Sequence, residues 1–130
     1  ATRVYEARTS TPAPRAWWVP APRYATQAMQ ADYEAGEEFS FLQFVGLKGN
    51  GMFSGIDLPK LGLRFDIPVY LVQGAEDLVT TPDVAKRYFE SIVAPHKEFV
   101  LLPRTGHDPN EAMLEAQYGI LKTRVAPLLR

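Results

Sequence analysis

The sequence predicts an α/β fold in which parallel strands alternate with flanking helices. Two short apolar runs, at residues 69–73 and 98–102, have the length and composition of strands that are covered on both faces. Each run is followed by a turn and then by a helical pattern, at residues 82–93 and at about 109–126. Because strands that are joined through a helix run parallel, both strands should end at the same edge of one sheet.

The first of these helices has a clear start and a clear end. Thr81 is the expected N-cap, and Pro82 stands at the first helical position, where its missing N–H is not needed. Pro95 stops the helix. Apolar residues recur on the face that should pack on the sheet: Val84, Tyr88, Phe89 and Ile92.

The final helix is predicted from Pro109 to Ala126. Asp108 is its expected N-cap, with Glu111 completing a capping-box pattern, and Pro127 ends it. The stripe expected to be buried consists of Leu114, Tyr118, Leu121 and Val125.

Two residues that can carry chemistry follow the predicted strands. Asp77 comes shortly after the first strand and the turn residue Gly74, and His107 comes after the second strand. Sites in open α/β sheets are built at this edge, and an acid placed there can orient a catalytic imidazole. The other histidine, His96, is expected to face solvent without a role in the chemistry.

The residues around Asp77 and His107 resemble a known enzyme superfamily. The segment GAEDLVTTP at residues 74–82, followed by Thr-Gly-His at residues 105–107, resembles the last two catalytic segments of α/β-hydrolases, most closely the proline iminopeptidase branch. The resemblance is best over residues 64–130. It implies a nucleophile–acid–histidine triad in which Asp77 is the acid and His107 is the base, with no cofactor.

The nucleophile of such a triad is missing from the sequence. It should precede Asp77 on a Gly-x-Ser-x-Gly elbow, and no serine has this context; Ser54, in GMFSG, comes nearest with the wrong spacing. A His-Gly-Gly-type oxyanion loop is absent as well. The sequence is therefore predicted to be the carboxyl-terminal portion of a larger hydrolase, which needs an N-terminal hydrolase segment as its partner and is inactive alone.

The predicted domain boundary lies at residue 60. Residues 1–60 should form a partial helical cap or lid with a glycine-rich connector, and residues 61–130 the C-terminal part of the hydrolase core. The elements expected in the cap are an irregular proline-rich segment up to residue 23, a helix at 22–36 that ends at Gly36, a short helix at 37–45 and the connector at 46–63.

Five residues of the cap are candidates for binding a small-molecule or short peptide substrate. Trp17 and Trp18 lie between prolines, where they either pack on another surface or form one wall of a pocket. Glu34, Glu37 and Glu38 form either a solvated acidic turn or a patch that receives a cation. The resemblance favours the second interpretation, since proline iminopeptidase-like enzymes hold the substrate α-amine with cap carboxylates.

Composition excludes several other classes of function. The chain has 130 residues and a net charge of −1, which argues against a nucleic acid as partner because phosphate binding needs a basic surface. No apolar run approaches the length of a membrane span, about 20 residues. Two histidines without cysteine predict no metal site. The absence of cysteine suits both reducing and oxidising compartments and leaves the location open.

Two classes of function stay open at this point. The first is a serine hydrolase, either an aminopeptidase for substrates with an N-terminal proline or a related esterase or amidase. A variant of it uses an upstream Asp nucleophile, as epoxide hydrolases and haloalkane dehalogenases do. The second is a non-catalytic binding domain descended from a hydrolase. The upstream coding sequence would separate these classes.

Overall fold

The protein has α/β character, with several helices and a small parallel sheet of two strands. The computed structural model describes Tyr5 and residues 8–129. The outermost residues of the two predicted domains, 1–4, 6, 7 and 130, therefore lie outside the described residues.

The chain divides into two compact units near the predicted domain boundary. The N-terminal segment up to Trp17 groups with the residues from Leu63 onward, and the second unit is Trp18–Gly62. A backbone hydrogen bond joins the N-terminal segment to the sheet-containing unit, because the Thr11 N–H donates to the Arg104 carbonyl at a distance of 2.6 Å.

Within Trp18–Gly62 the main element is one long helix, α1, which spans Gln27–Phe44. The Thr26 hydroxyl caps its first turn by accepting from the Met29 N–H. Shorter elements complete the unit: the 3₁₀ turns Pro22–Tyr24 and Met52–Gly55 and the single-turn helix α2 at Leu58–Leu61.

The predicted break of α1 at Gly36 is wrong, because the helix continues through it to Phe44. Strong helix formers surround Gly36, and one interior glycine costs only about 1 kcal/mol. The glycine that ends the helix is Gly46, which follows the C-cap Val45 with a φ of 77°. This left-handed conformation is the one that glycine adopts without strain after a helix.

The sheet-containing unit has the predicted order of strand, helix, strand and helix. Strands β1 and β2 pair in parallel from Val69↔Lys97 to Gly74↔Leu102, which confirms the predicted parallel arrangement. The elements are β1 at Val69–Gly74, α3 at Pro82–Ser91, β2 at Lys97–Leu102 and α4 at Glu111–Ile120, followed by a π turn at Leu121–Val125 and a 3₁₀ turn at Ala126–Leu129.

Helix α3 packs against β2 through an aromatic pair and one lysine. The rings of Phe89 and Phe99 lie 5.3 Å apart, centroid to centroid. The Lys97 ammonium donates to the carbonyls of Phe89 and Ile92, at 2.9 and 2.8 Å. It thereby provides a donor for carbonyl groups at the C-terminus of the helix. Phe89 and Ile92 are buried as the stripe predicted, whereas Val84 is exposed.

The final helix differs from its prediction at both ends. Its N-cap is Asn110 and not Asp108, and the regular α-helix ends at Ile120 instead of Ala126. Pro127 lies inside the last 3₁₀ turn. The predicted stripe is wrong for three residues that remain exposed, namely Leu114, Tyr118 and Leu121.

Candidate active site

Asp77 lies in the loop that follows β1, and it is almost completely buried, with 4% of its surface exposed. Oδ1 accepts hydrogen bonds from the backbone N–H groups of Val79 and Thr80, each at a distance of 2.8 Å. Oδ2 accepts from the Thr80 hydroxyl at 2.7 Å and from the Gln73 amide at 3.1 Å. A buried carboxylate needs such donors, because burial without them is costly.

His107 faces the same carboxylate from the loop that follows β2. Its Nδ1 lies 3.1 Å from Asp77 Oδ2 and 3.4 Å from Thr80 Oγ1. The His107 side chain is 35% exposed, whereas that of Asp77 is 5% exposed. The acid is therefore enclosed while the imidazole stays accessible, which is the arrangement that general-base catalysis requires.

The two loops are joined by their backbones as well as by these side chains. The Ala75 N–H donates to the Leu102 carbonyl, and the Glu76 N–H donates to the Thr105 carbonyl, both at a distance of 2.9 Å. A Cβ on Gly74 would overlap the carbonyl oxygens of Thr105 and Gly106. Glycine is thus needed at position 74 for close approach of the His107 loop, in addition to its predicted role in a turn.

The His107 loop is anchored on its other side by two buried polar residues. Asn110 is 2% exposed and Thr105 is 0% exposed. The Asn110 amide donates to the Thr11 carbonyl at 2.8 Å and to the Thr105 hydroxyl at 3.3 Å, and Asn110 Oδ1 accepts from the Met113 N–H. These bonds fix the loop between β2 and α4 at Thr105 and Asn110, and His107 lies between these two residues in the sequence.

The electrostatics of the site favour an ionised acid. Burial raises the pKa of Asp77, but hydrogen bonds from the Thr80 side chain and backbone, from His107 and from the Val79 backbone together lower it below its ordinary value. Asp77 is therefore a carboxylate at neutral pH, able to accept from the Nδ1–H of His107 and to stabilise an imidazolium.

The other predicted site residues lie on exposed surface. Trp17 and Trp18 stand in the 3₁₀ turn Arg15–Trp18 and are 40% and 60% exposed. The three candidate glutamates, Glu34, Glu37 and Glu38, are exposed on α1, in the unit Trp18–Gly62. Trp17, Asp77 and His107 belong to the sheet-containing unit, whereas Trp18 lies with the glutamates in the other unit. The binding roles of these five residues remain predictions.

Sequence reasoning missed three residues that build the site, Gln73, Thr80 and Asn110. A local signal for Thr80 exists, because an Asp in a loop after a strand commonly accepts from the N–H groups two and three residues later, as in an Asx-type turn. Asn110 could have been recognised as an N-cap that competes with Asp108. Gln73 stands out as a polar residue at the end of an apolar strand, but this pattern does not indicate which groups its amide contacts.

The remaining predictions concern groups that the described residues do not provide. Ser54, the serine with the nearest elbow context, lies in the 3₁₀ turn Met52–Gly55 and donates to the Gly51 carbonyl. No strand–Ser–helix elbow and no group of three potential metal ligands occur in the described part of the chain. Among the helices described, none combines the length and apolarity needed to cross a bilayer.

Comparison with known proteins adds no family to these observations. Searches among protein-family models, curated proteins and solved structures found no match to this chain.

Proposed function

We propose that this chain supplies the acid and the histidine of a hydrolase triad, as the carboxyl-terminal portion of an α/β-hydrolase. The observation that carries the proposal is the 3.1 Å contact between Asp77 Oδ2 and His107 Nδ1, made by side chains at the ends of two adjacent parallel strands. An acid and an imidazole so placed are the two triad members that follow the nucleophile in the chain order of these enzymes.

The chemistry follows from the protonation states of the pair. Asp77 accepts a hydrogen bond from the Nδ1–H of His107, which makes Nε2 the nitrogen that takes a proton from a nucleophile. A serine hydroxyl is a weak nucleophile until a base takes its proton. Later the imidazolium returns the proton to the leaving group, while the Asp77 carboxylate stabilises its positive charge.

The nucleophile is proposed to lie on a segment outside residues 1–130. The resemblance of residues 74–82 favours an aminopeptidase for short substrates with an N-terminal proline, or a related esterase or amidase. The acid–histidine pair would also serve an aspartate nucleophile, because the imidazole then activates the water that hydrolyses the ester intermediate. A non-catalytic role would require the complete protein to lack a nucleophile.

The test uses the product of the complete coding sequence that contains these residues, assayed on chromogenic esters and proline amides. His107→Gln should lower turnover by roughly four orders of magnitude. His96→Gln is the matched control, since His96 lies outside the site with its side chain 55% exposed, and it should leave turnover unchanged. Labelling by a fluorophosphonate distinguishes a serine nucleophile from an aspartate.

Asp77→Asn and the double variant of Asp77 and His107 sharpen the test. Because both residues serve one proton transfer, the double variant should be little worse than either single variant. Additive losses would show that another carboxylate orients the base. Residues 1–130 alone should be inactive, and turnover by this chain that Ser54→Ala abolishes would contradict the placement of the nucleophile elsewhere.

A further inference from the structure

We infer that Gln73 and Thr80 are positioning residues of the proposed site, which hold the Asp77 carboxylate in one orientation and direct the proton of His107 to Nδ1. The inference rests on the proposed function, because it assigns these residues a role in the same proton transfer. It goes beyond the acid–histidine pair, since neither residue is part of the triad.

Gln73 links the strand to the acid and to the loop. Its Nε2 faces three oxygen atoms: the Thr80 carbonyl at 2.9 Å, Asp77 Oδ2 at 3.1 Å and the Gly74 carbonyl at 3.3 Å. All three are acceptors, so the amide nitrogen and not the amide oxygen must point toward them. Gln73 is 7% exposed, and its buried amide therefore fixes both the carboxylate and the backbone at Thr80.

Thr80 contacts both members of the pair with one hydroxyl. Its Oγ1 lies 2.7 Å from Asp77 Oδ2 and 3.4 Å from His107 Nδ1. A hydroxyl has one proton, and the shorter contact to the carboxylate takes it. Toward His107 the same oxygen can then only accept, so Nδ1 meets two acceptors, Asp77 Oδ2 and Thr80 Oγ1.

This arrangement determines the tautomer of the neutral imidazole. An Nδ1 that faces two acceptors must carry the proton, and Nε2 is then the basic nitrogen. The Asp77 carboxylate is held by five hydrogen bonds in all, from Val79, Thr80 twice, Gln73 and His107. Its orientation is fixed before any substrate binds, which is what preorganised catalysis requires.

The experiment is an NMR titration of residues 1–130. It follows the side-chain carboxyl carbon of Asp77 and the ring nitrogens of His107, because His107 is a titratable residue in contact with Asp77. Thr80→Val and Gln73→Leu each remove one donor from Oδ2 and should move the Asp77 titration to higher pH. Thr80→Val should also broaden or shift the Nδ1–H resonance of His107. Thr80→Ser keeps the hydroxyl and should retain the original titration.

Thr81→Val is the matched control for Thr80→Val. Thr81 is the adjacent residue, and its side chain makes no capping hydrogen bond to α3, so the Asp77 titration should not move. Unchanged Asp77 and His107 signals in both Thr80→Val and Gln73→Leu would overturn the inference. If Gln73→Leu fails to fold because Gln73 is buried, Thr80→Val decides the outcome, since Thr80 is exposed.

In the product of the complete coding sequence, Thr80→Val should lower kcat about tenfold with KM unchanged, because one charge-assisted hydrogen bond to the acid is lost. The two readouts separate the inference from the proposed function. An altered titration in a protein without hydrolase activity would refute the function and leave the hydrogen-bond network established. Normal turnover and an unchanged titration in Thr80→Val would refute the positioning role alone.

Discussion

Asp77→Asn should destabilise the protein by an amount that depends on pH. The amide oxygen of the new side chain can keep the bonds from the Val79 and Thr80 N–H groups, which places its NH₂ where Oδ2 now accepts. The Thr80 hydroxyl can rotate to accept from this NH₂, and His107 can change its tautomer.

The Gln73 amide cannot adapt in this way. Turning its oxygen toward the new NH₂ would remove its bond to the Thr80 carbonyl, whereas keeping its nitrogen in place sets two donors against each other where Nε2 now donates to Oδ2. The charge-assisted hydrogen bond to the carboxylate is lost in either orientation, and the loss of such a bond costs ~2 kcal/mol. We therefore expect Asp77→Asn to be folded at pH 7 and to be less stable than the wild type by that amount.

The sign of the pH dependence follows from the lowered pKa of Asp77. A carboxylate with a lowered pKa contributes its full stability above the pKa of an Asp side chain in the unfolded chain, about 3.9. This contribution is lost as the pH falls through the lower pKa that the side chain has in the folded state. Because the amide does not titrate, the stability difference between wild type and Asp77→Asn should be largest near neutrality and should shrink below about pH 4.

The measurement is urea denaturation followed by circular dichroism, at one protein concentration and at pH values from 7 to 3. Asp32→Asn, at an exposed position of α1, is the control and should change stability by less than about 0.5 kcal/mol. Equal stability of Asp77→Asn and wild type at pH 7, or a difference that stays constant down to pH 3, would refute the account of the buried carboxylate.

Two further predictions concern packing. Gly74→Ala should destabilise the protein by about 1–3 kcal/mol, since its Cβ would overlap the Thr105 and Gly106 carbonyls, whereas Gly119→Ala, with open space around its Cβ, should be neutral or stabilising in the same denaturation assay. Residues 1–130 should associate and bind a hydrophobic dye, because Ile67, Leu101 and Tyr118 are 66%, 50% and 64% exposed; a monodisperse monomer with cooperative unfolding and little dye binding would contradict this.

The order of strands and helices around the site could be predicted because local signals agree there. The apolar runs of β1 and β2 are short and bounded, and Thr81 with Pro82 marks the start of α3. Where two local signals compete, the prediction failed. Gly36 favours a helix end while its neighbours favour a helix, and the helix continues; Asp108 and Asn110 are both suitable caps, and Asn110 occupies the position.

The proximity of Asp77 and His107 was predictable, and the network around them was not. Proximity follows from topology, since both residues follow parallel strands that end at one edge. The bonds of Gln73, Thr80 and Asn110 depend on which way each side chain points once the loops have met. That information is tertiary, and no periodicity in the sequence encodes it.

The separation of the acid and the base is set by the sheet more than by the side chains. Gly74 pairs with Leu102 at the end of the register, and the next two N–H groups, of Ala75 and Glu76, bond to the Leu102 and Thr105 carbonyls. The loops of Asp77 and His107 are thus joined within a few residues of the two reacting groups. A shift of register by one residue would turn side chains to the opposite face and move the loops apart. Changes on the exposed apolar surface should therefore alter association and leave the 3.1 Å contact intact, whereas changes at Gly74 should disturb the contact even though Gly74 has no side chain.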